Sequence, residues 1–373
     1  MLFRSQRKGR AGRVAAGTCV RLFAEDDFAA RPDAATPEIL RSNLAGVVLR
    51  MKDLGLGDPA QFPFIDPPSP VAISGGYQLL HELGALDDQR ELTPLGRDLA
   101  RLPIDPTLGR MLLQAQQEHA TRELLIIASG LSIQDPRERP LDQREASDAA
   151  HRRHADLRSD FLSLLRLWDA VHGEWEVLRT QNQRRRYCKS AFLSYTRMRE
   201  WQDLHAQLTS ALADIEAIHL SDSSADYEAI HRSILSGLLG HVARREERNA
   251  YRAPGNRLLA VFPGSNLHDK GEKPQRKPHA GRDAQPEKPR GERARQPEWI
   301  VAGEIVETSQ LFARTVAGID PLWIVALAPH LCRVTHRHPH WNVRAGRVLA
   351  EELTTFHGLE VRSRHVEIGR AHV

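Results

Sequence analysis

Apolar residues recur every three or four positions along most of the chain, and past Gly240 they give way to short runs of β-branched and aromatic residues. The first pattern predicts helices and the second strands. Ile39, Leu40, Leu44, Val47, Val48, Met51 and Leu54 predict one helix over residues 38–54, with Thr36 as its cap and Pro37 in its first turn. A Pro-rich loop runs from Pro59 to Pro70. A second helix is predicted from Ser74 to Leu83, stopped by Gly84. Leu86 and Leu92 flank a short hairpin, and Thr93-Pro94 opens a third helix carrying Leu95, Leu99 and Leu102. Helix, helix, wing, helix over residues 38–104 is the pattern of a winged helix.

From residue 105 to 240 the helical period continues. Leu108, Met111 and Leu112 form one stripe, Leu124 to Ile127 a buried segment, and Phe161, Leu165, Trp168 and Val171 another stripe. The longest stripe is Phe192, Tyr195, Met198, Trp201, Leu204, Leu208, Leu212 and Ile215. Core packing is the favoured role for Trp201, with base stacking as the alternative. Tyr227, Ile230, Ile234 and Leu238 predict a last helix. Beyond it, Leu258–Phe262, Trp299–Val306 and Leu311–Ile319 predict strands of a small barrel over residues 241–331.

Residues 268–297 interrupt those strands with nine Lys/Arg, five Asp/Glu and five Pro. Such a segment buries no core and is expected to be disordered, either as a solvated insertion or as a flexible basic arm for nucleic acid. Its net charge of +4 equals that of the whole 373-residue chain. A polyanionic partner is therefore plausible but not required. Cys19, Cys188 and Cys332 lie far apart, which excludes a disulfide framework or a CxxC zinc site and predicts free thiols in a reducing cytoplasm. No apolar run approaches the roughly 20 residues that span a bilayer. His336, His338 and His340 alternate, but Pro339 interrupts them and no carboxylate adjoins, so a surface strand or loop is favoured over a metal site.

The candidate chemistry sits near the start. Gln6-Arg7-Lys8-Gly9-Arg10-Ala11-Gly12-Arg13 places three arginines and two glycines within eight residues. Glycines let backbone approach a ligand closely, and arginines supply forked positive charge for phosphate. Read alone, it is a phosphate site or a basic surface loop.

QRKGRAGR resembles motif VI of the DEAH/RHA helicases, QRxGRxGR. The likeness continues through GTCVRLFAEDDF, TPEILRSNLAGVVLRMKDLGLGD, FPFIDPP, LHELGALD, LTPLGRDLARLPIDPTLGRML, FPGS and WIVAGEIVETS. It implies a multidomain, mainly α protein with β. Residues 1–37 would end a second RecA-like domain, 38–104 form a winged helix, 105–240 a helical ratchet-like bundle and 241–331 an OB-type β-barrel. Residues 332–366 would start a further C-terminal domain.

The resemblance also implies an ATP-dependent RNA helicase moving 3′ to 5′, a cytoplasmic monomer that uses ATP with Mg²⁺ and grips single-stranded RNA. Gln6 would approach the γ-phosphate, and Arg10 and Arg13 would be fingers on the transferring phosphoryl group, with Gly9 and Gly12 allowing the tight backbone. A finger contributes about 10³–10⁵ in rate. The chain has no GxxxxGK[ST] run and no DEAH run, so alone it is expected to bind RNA without hydrolysing ATP.

Candidate RNA contacts are Arg184, Arg185, Arg186 and Lys189, then Arg244, Arg245 and Arg248, then Arg257 and Ser265. Each arginine cluster could equally be a solvated helix face. The winged helix has few basic residues and is expected to be a hub between domains. Both ends depart from the family. The final EIGRAHV, residues 367–373, reads as a translated sequencing adapter and is expected to be non-native. An RNA-binding adaptor without catalysis and a winged-helix transcription regulator are the competing readings.

Overall fold

The computed structural model describes residues 15–30, 37–40, 43–102, 104–213, 224–269, 296–343 and 346–370. It comprises two compact units, residues 1–80 and 81–373. The whole QRKGRAGR segment lies outside the described residues.

The first unit contains α1 (Glu25–Ala30), a 3-10 turn (Glu38–Leu40), α2 (Ala45–Asp53) and most of α3 (Pro70–Glu82). The single helix expected over residues 38–54 is thus split. The new helix is capped at Leu44, and just before it Asn43 Oδ1 accepts the Ala45 N–H at 2.8 Å in the turn that leads in. Val48, Leu49 and Met51 bury one face of α2, and Ile73, Tyr77 and Leu80 bury one face of α3. α3 begins four residues earlier than expected, with Pro70 in its first turn and Ser69 Oγ accepting the Ala72 N–H at 3.2 Å.

In the second unit the chain leaves α3 through Gly84, at φ +74°. Leu86 and Leu92 pair as the predicted wing. Thr93 then opens α4 (Pro94–Arg101). Its Oγ1 accepts the Gly96 N–H at 3.0 Å and donates to the Gly84 carbonyl at 2.7 Å, tying the helix start to the previous helix stop. Thr93→Ala is expected to lower stability by about 1–2 kcal/mol, read as a shift in the urea midpoint at unchanged slope.

Among the described residues, seven helices follow: α5 (Pro106–Gln117), α6 (Thr121–Leu131), α7 (Arg144–Arg152), α8 (Asp160–Val177), α9 (Gln181–Ser190), α10 (Tyr195–Ala213) and α11 (Tyr227–Gly237). α6 is apolar on nearly every side, and Leu124 to Ala128 are all buried. Trp201 is fully buried, with its ring centroid 5.1 Å from that of Trp168. Its Nε1 donates to the Ile126 carbonyl and to Ser129 Oγ, both at 3.0 Å, so this indole is core and unavailable to a base. Phe192 does not belong to its stripe. It sits before α10 at φ +55°, and its carbonyl accepts the Glu138 N–H at 2.8 Å and His151 Nε2–H at 3.0 Å. Leu193 takes the buried place instead.

Five strands close a barrel in the order β1-β2-β3-β5-β4: β1 (Val242–Glu247), β2 (Ala250–Ala253), β3 (Arg257–Val261), β4 (Trp299–Glu307) and β5 (Leu311–Gly318). Only β3 and β5 pair in parallel. Ala243, Tyr251, Leu259, Val261, Ile300, Ala302, Ala313 and Val316 fill the interior. β1 and β2 are strands that the apolar pattern did not predict. Asp269 and Gln296, near the two ends of the expected insertion, are fastened to the barrel. Asn249, in the β1–β2 turn at φ +58°, accepts the Asp269 N–H at 2.9 Å and donates from Nδ2 to the Asp269 carbonyl. The same Oδ1 accepts Gln296 Nε2–H, and the Asn249 N–H donates back to Gln296 Oε1 at 3.0 Å. Residues 270–295, the body of the insertion, lie outside the described residues.

After the short α12 (Leu322–Leu327), β6 (Cys332–Asn342), β7 (Arg347–Phe356) and β8 (Leu359–Arg370) form an antiparallel meander. β6 is irregular between Arg337 and His340, where His338 adopts φ +51°. β8 runs on through Gly369, which pairs with Val348, so the first residues of the suspected adapter tail are part of a strand. Among the described residues no group of three or more His, Cys, Asp or Glu could hold a metal ion, and no helix is long and apolar enough to cross a membrane.

Candidate nucleic-acid interface

Four of the sequence-predicted contacts share α9. Thr180 starts this helix with a reciprocal cap to Gln183. The resulting phase turns Arg184 inward, where Nε donates to the Leu178 carbonyl at 3.0 Å and Nη2 to the Trp175 carbonyl at 2.9 Å. Arg184 thus holds the last turn of α8, where cations suit the helix dipole. Arg185 faces the other way, its guanidinium 5.2 Å above the Tyr195 ring. Together with Ser132, Thr196, Arg199 and Gln207 these two line an open cleft of about 810 Å³. Arg186 and Lys189 are exposed and hold no ion pair among the described residues.

The second cluster stands on a strand and its turn, not on a helix face. Arg244 pairs with Glu298 at 3.1 Å, Arg248 pairs with Asp269 at 2.9 Å, and Arg245 Nη1 donates to the Gln296 carbonyl at 2.7 Å. All three therefore fasten the flanks of the insertion to the barrel. Arg257 reaches the Pro254 carbonyl at 3.2 Å and the Gly240 carbonyl at 3.4 Å. Arg244 and Arg248 keep about half of their side chains exposed, and surface pairs of this kind contribute only about 0–1 kcal/mol, so a phosphate can compete for them.

Ser265, the candidate contact in the FPGS turn, points into the protein. It is 8 % exposed, and its Oγ donates to Asp160 Oδ2 at 2.6 Å. Asp160 stands in the first turn of α8, after the cap Ser159. It also accepts the Asn266 N–H at 3.0 Å and the Val316 N–H at 3.0 Å. One buried carboxylate thereby joins a ratchet helix, the FPGS turn and strand β5. Burial pushes its pKa up, against the pull of its three donors.

A second tie lies beside it. His231 Nδ1–H donates to the Tyr227 carbonyl at 2.6 Å, so Nε2 of the neutral ring accepts from Ser159 Oγ at 2.7 Å. Burial lowers the His231 pKa to about 4. Tyr227 Oη donates to the Gly318 carbonyl at 2.8 Å, and the Gly318 N–H to the Arg158 carbonyl at 3.1 Å. Sequence reading missed this joint. An Asp after a Ser at a helix start signals only a cap, and nothing local announces a partner 105 residues away.

Residues 77–104 match the winged-helix helicase-associated domain, HA2, and residues 105–164 match the ratchet-like helicase-associated domain. Residues 230–331 match the oligonucleotide/oligosaccharide-binding (OB) fold. Winged helix, ratchet and closed barrel in this order define the helicase-associated region of the DEAH/RHA helicases, and the chain belongs to that family.

Within the family it is of the HrpA type. It is 44 % identical over 363 residues to the ATP-dependent RNA helicase HrpA of Escherichia coli (strain K12), covering 96 % of this chain and 26 % of that protein. It is 42 % identical over 365 residues to the ATP-dependent RNA helicase HrpA homolog of Haemophilus influenzae, with the same shares covered. The chain thus spans about a quarter of the length of these relatives.

Proposed function

We propose that this chain is the RNA-holding portion of an ATP-dependent RNA helicase that moves 3′ to 5′ along single-stranded RNA in the cytoplasm, acting as a monomer. The observation that carries the reading is the union of ratchet and barrel through Asp160, with Arg185 lining an open cleft and Arg186 and Lys189 exposed on the same helix. Such a frame holds a flexible polyanion in one register while other domains move. Gln6, Arg10 and Arg13 supply the finger half of an ATP site. The sequence has no GxxxxGK[ST] run to cradle the triphosphate, so no hydrolytic step is assigned to these residues alone. ATP with Mg²⁺ belongs to the complete helicase.

The test is fluorescence anisotropy of the chain with a labelled single-stranded RNA across a salt series. Reversing Arg186 and Lys189 to glutamate is expected to flatten the log–log salt slope by at least about 1.4, the contribution of two phosphate contacts on a single strand. An unchanged slope removes α9 from the interface. A phosphate-release assay with RNA is expected to show no turnover above a Gln6/Arg10/Arg13 triple alanine variant.

A further inference from the structure

A second cleft, of about 530 Å³, opens between α6, α8 and α10 and takes no part in the interface above. Asp169, Gly173 and Glu176 fall at i, i+4 and i+7 on α8, so one stripe of that helix forms its floor. Gln202, His205 and Ala206 of α10 form the facing wall. Arg122 of α6 stands at the Asp169 end, with Nη2 donating to Asp169 Oδ1 at 2.6 Å.

Gly173 is a residue that the fold does not explain. It lies inside α8, where glycine is destabilising relative to alanine. A Cβ there would meet nothing within 4 Å, and its φ is not in the left-handed region. Neither packing nor backbone geometry calls for glycine, while any side chain at this position would stand in the cleft. The chemistry of the wall is also unfinished. His172 stacks on Trp168 at 3.7 Å, and its Nδ1–H donates to the Trp168 carbonyl at 3.0 Å. That leaves Nε2 as an acceptor, buried and without a partner among the described residues. His205 lies against the same indole at 4.8 Å. Burial lowers both histidine pKa values, so both rings are neutral at pH 7. Glu176 is exposed and unpaired among the described residues. Arg122 is shared between Asp169 and the buried Glu123, at 2.6 and 3.4 Å. The lining therefore carries an excess of carboxylate in a chain whose formal charge is +4.

We propose that this cleft binds a linear polyamine of spermidine length. Its terminal ammonium groups sit on Asp169 and Glu176, its chain crosses Gly173, and its central ammonium lies beside His172 and Gln202. Seven residues of helix set the two carboxylates about 10 Å apart along the axis. Extended spermidine reaches that far and putrescine does not. The excess of carboxylate selects a cation and turns away an RNA phosphate. Among the described residues no group of three or more His, Cys, Asp or Glu could hold a metal ion, so the cation is organic. An ammonium also brings N–H donors, the complement of two neutral imidazoles and a glutamine carbonyl. The glycine keeps the floor low where the chain must pass, which explains the stability that α8 gives up there. The proposal is independent of the RNA-holding reading.

The experiment is isothermal titration calorimetry on the 373-residue chain, freed of nucleic acid by nuclease and high salt. Spermidine, putrescine and magnesium chloride are the titrants, at one ionic strength. Spermidine is expected to bind at least about tenfold more tightly than putrescine, and Glu176→Gln to weaken spermidine binding by about tenfold. Gly173→Leu is expected to abolish spermidine binding with the thermal midpoint unchanged or raised, since leucine is the better helix former. Gly173→Ala raises the floor less. It is expected to melt higher than wild type and bind spermidine more weakly, which keeps the test readable if the leucine chain folds poorly.

Equal affinity for spermidine, putrescine and magnesium overturns the proposal in favour of diffuse counterion binding. Wild-type affinity in both Gly173 variants overturns it by placing the amine elsewhere. Tighter binding of an oligolysine peptide than of spermidine, lost in Gly173→Leu, overturns it in favour of lysine side chains of a protein partner. The RNA anisotropy slope reads none of these outcomes, so the two readings fail separately.

Discussion

Replacing Asp160 by alanine is expected to remove about 3–5 kcal/mol from the stability of the helical and barrel unit. The side chain is buried, and its loss strands three donors in places water reaches poorly: Ser265 Oγ, the Asn266 N–H and the Val316 N–H. Asparagine fills the space but turns an amide donor toward them, so Asp160→Asn is expected to recover little. Urea unfolding followed by tryptophan emission measures the loss. Amide hydrogen exchange localises it, with Asn266 and Val316 losing protection before the α6–α10 core. If Asp160→Ala stays within about 1 kcal/mol of wild type, the carboxylate does not hold the two domains together.

The second large effect is a pH dependence. The folded-state pKa of His231 is about 4, below the ordinary histidine value, because the ring is buried between Tyr227, Phe161 and Ser159. Asp156 pulls that pKa up and Arg158 pushes it down, both less than burial does. A depressed folded pKa means that the stability is present above the unfolded pKa of about 6.5 and is lost as pH falls through the folded one. Acidification between these values is expected to cost roughly 3 kcal/mol through this residue. Asp160, whose pKa is raised, works in the opposite direction and gives back some stability on acidification. Urea midpoints at two pH values, one near each end of that window, test the assignment. His231→Gln is expected to be less stable at the upper value and to lose much of the difference between the two. Parallel pH curves for wild type and variant would exclude His231 as the source.

How much of this was readable from residues alone varies with the length over which each determinant acts. The wing and α4 were legible because Gly84, Leu86, Leu92 and Thr93-Pro94 act within ten residues of one another. Trp201 was legible as core because its stripe recurs over four turns. The first two barrel strands were not. Arg244, Arg245, Glu246 and Glu247 face outward or pair across the hairpin, leaving only Val242 and Ala243 to carry the apolar signal. Ser265 was found as part of its turn, but its bond to Asp160 was not, since the identity of a loop does not say which of its side chains points inward. Asp160 went unseen because its partners are distant in sequence. The finger residues Gln6, Arg10 and Arg13 rest on their motif, outside the described structure.

Asn249 closes the account of the barrel with a consequence for its evolution. One side chain clasps Asp269 and Gln296, so the two flanks of the insertion meet at a fixed clasp whatever the intervening chain does. A change of length between Asp269 and Gln296 leaves both anchor points on the one Asn249 side chain and its own backbone N–H. That makes the β3–β4 junction the natural port for appending a new tether or a reporter domain to this protein.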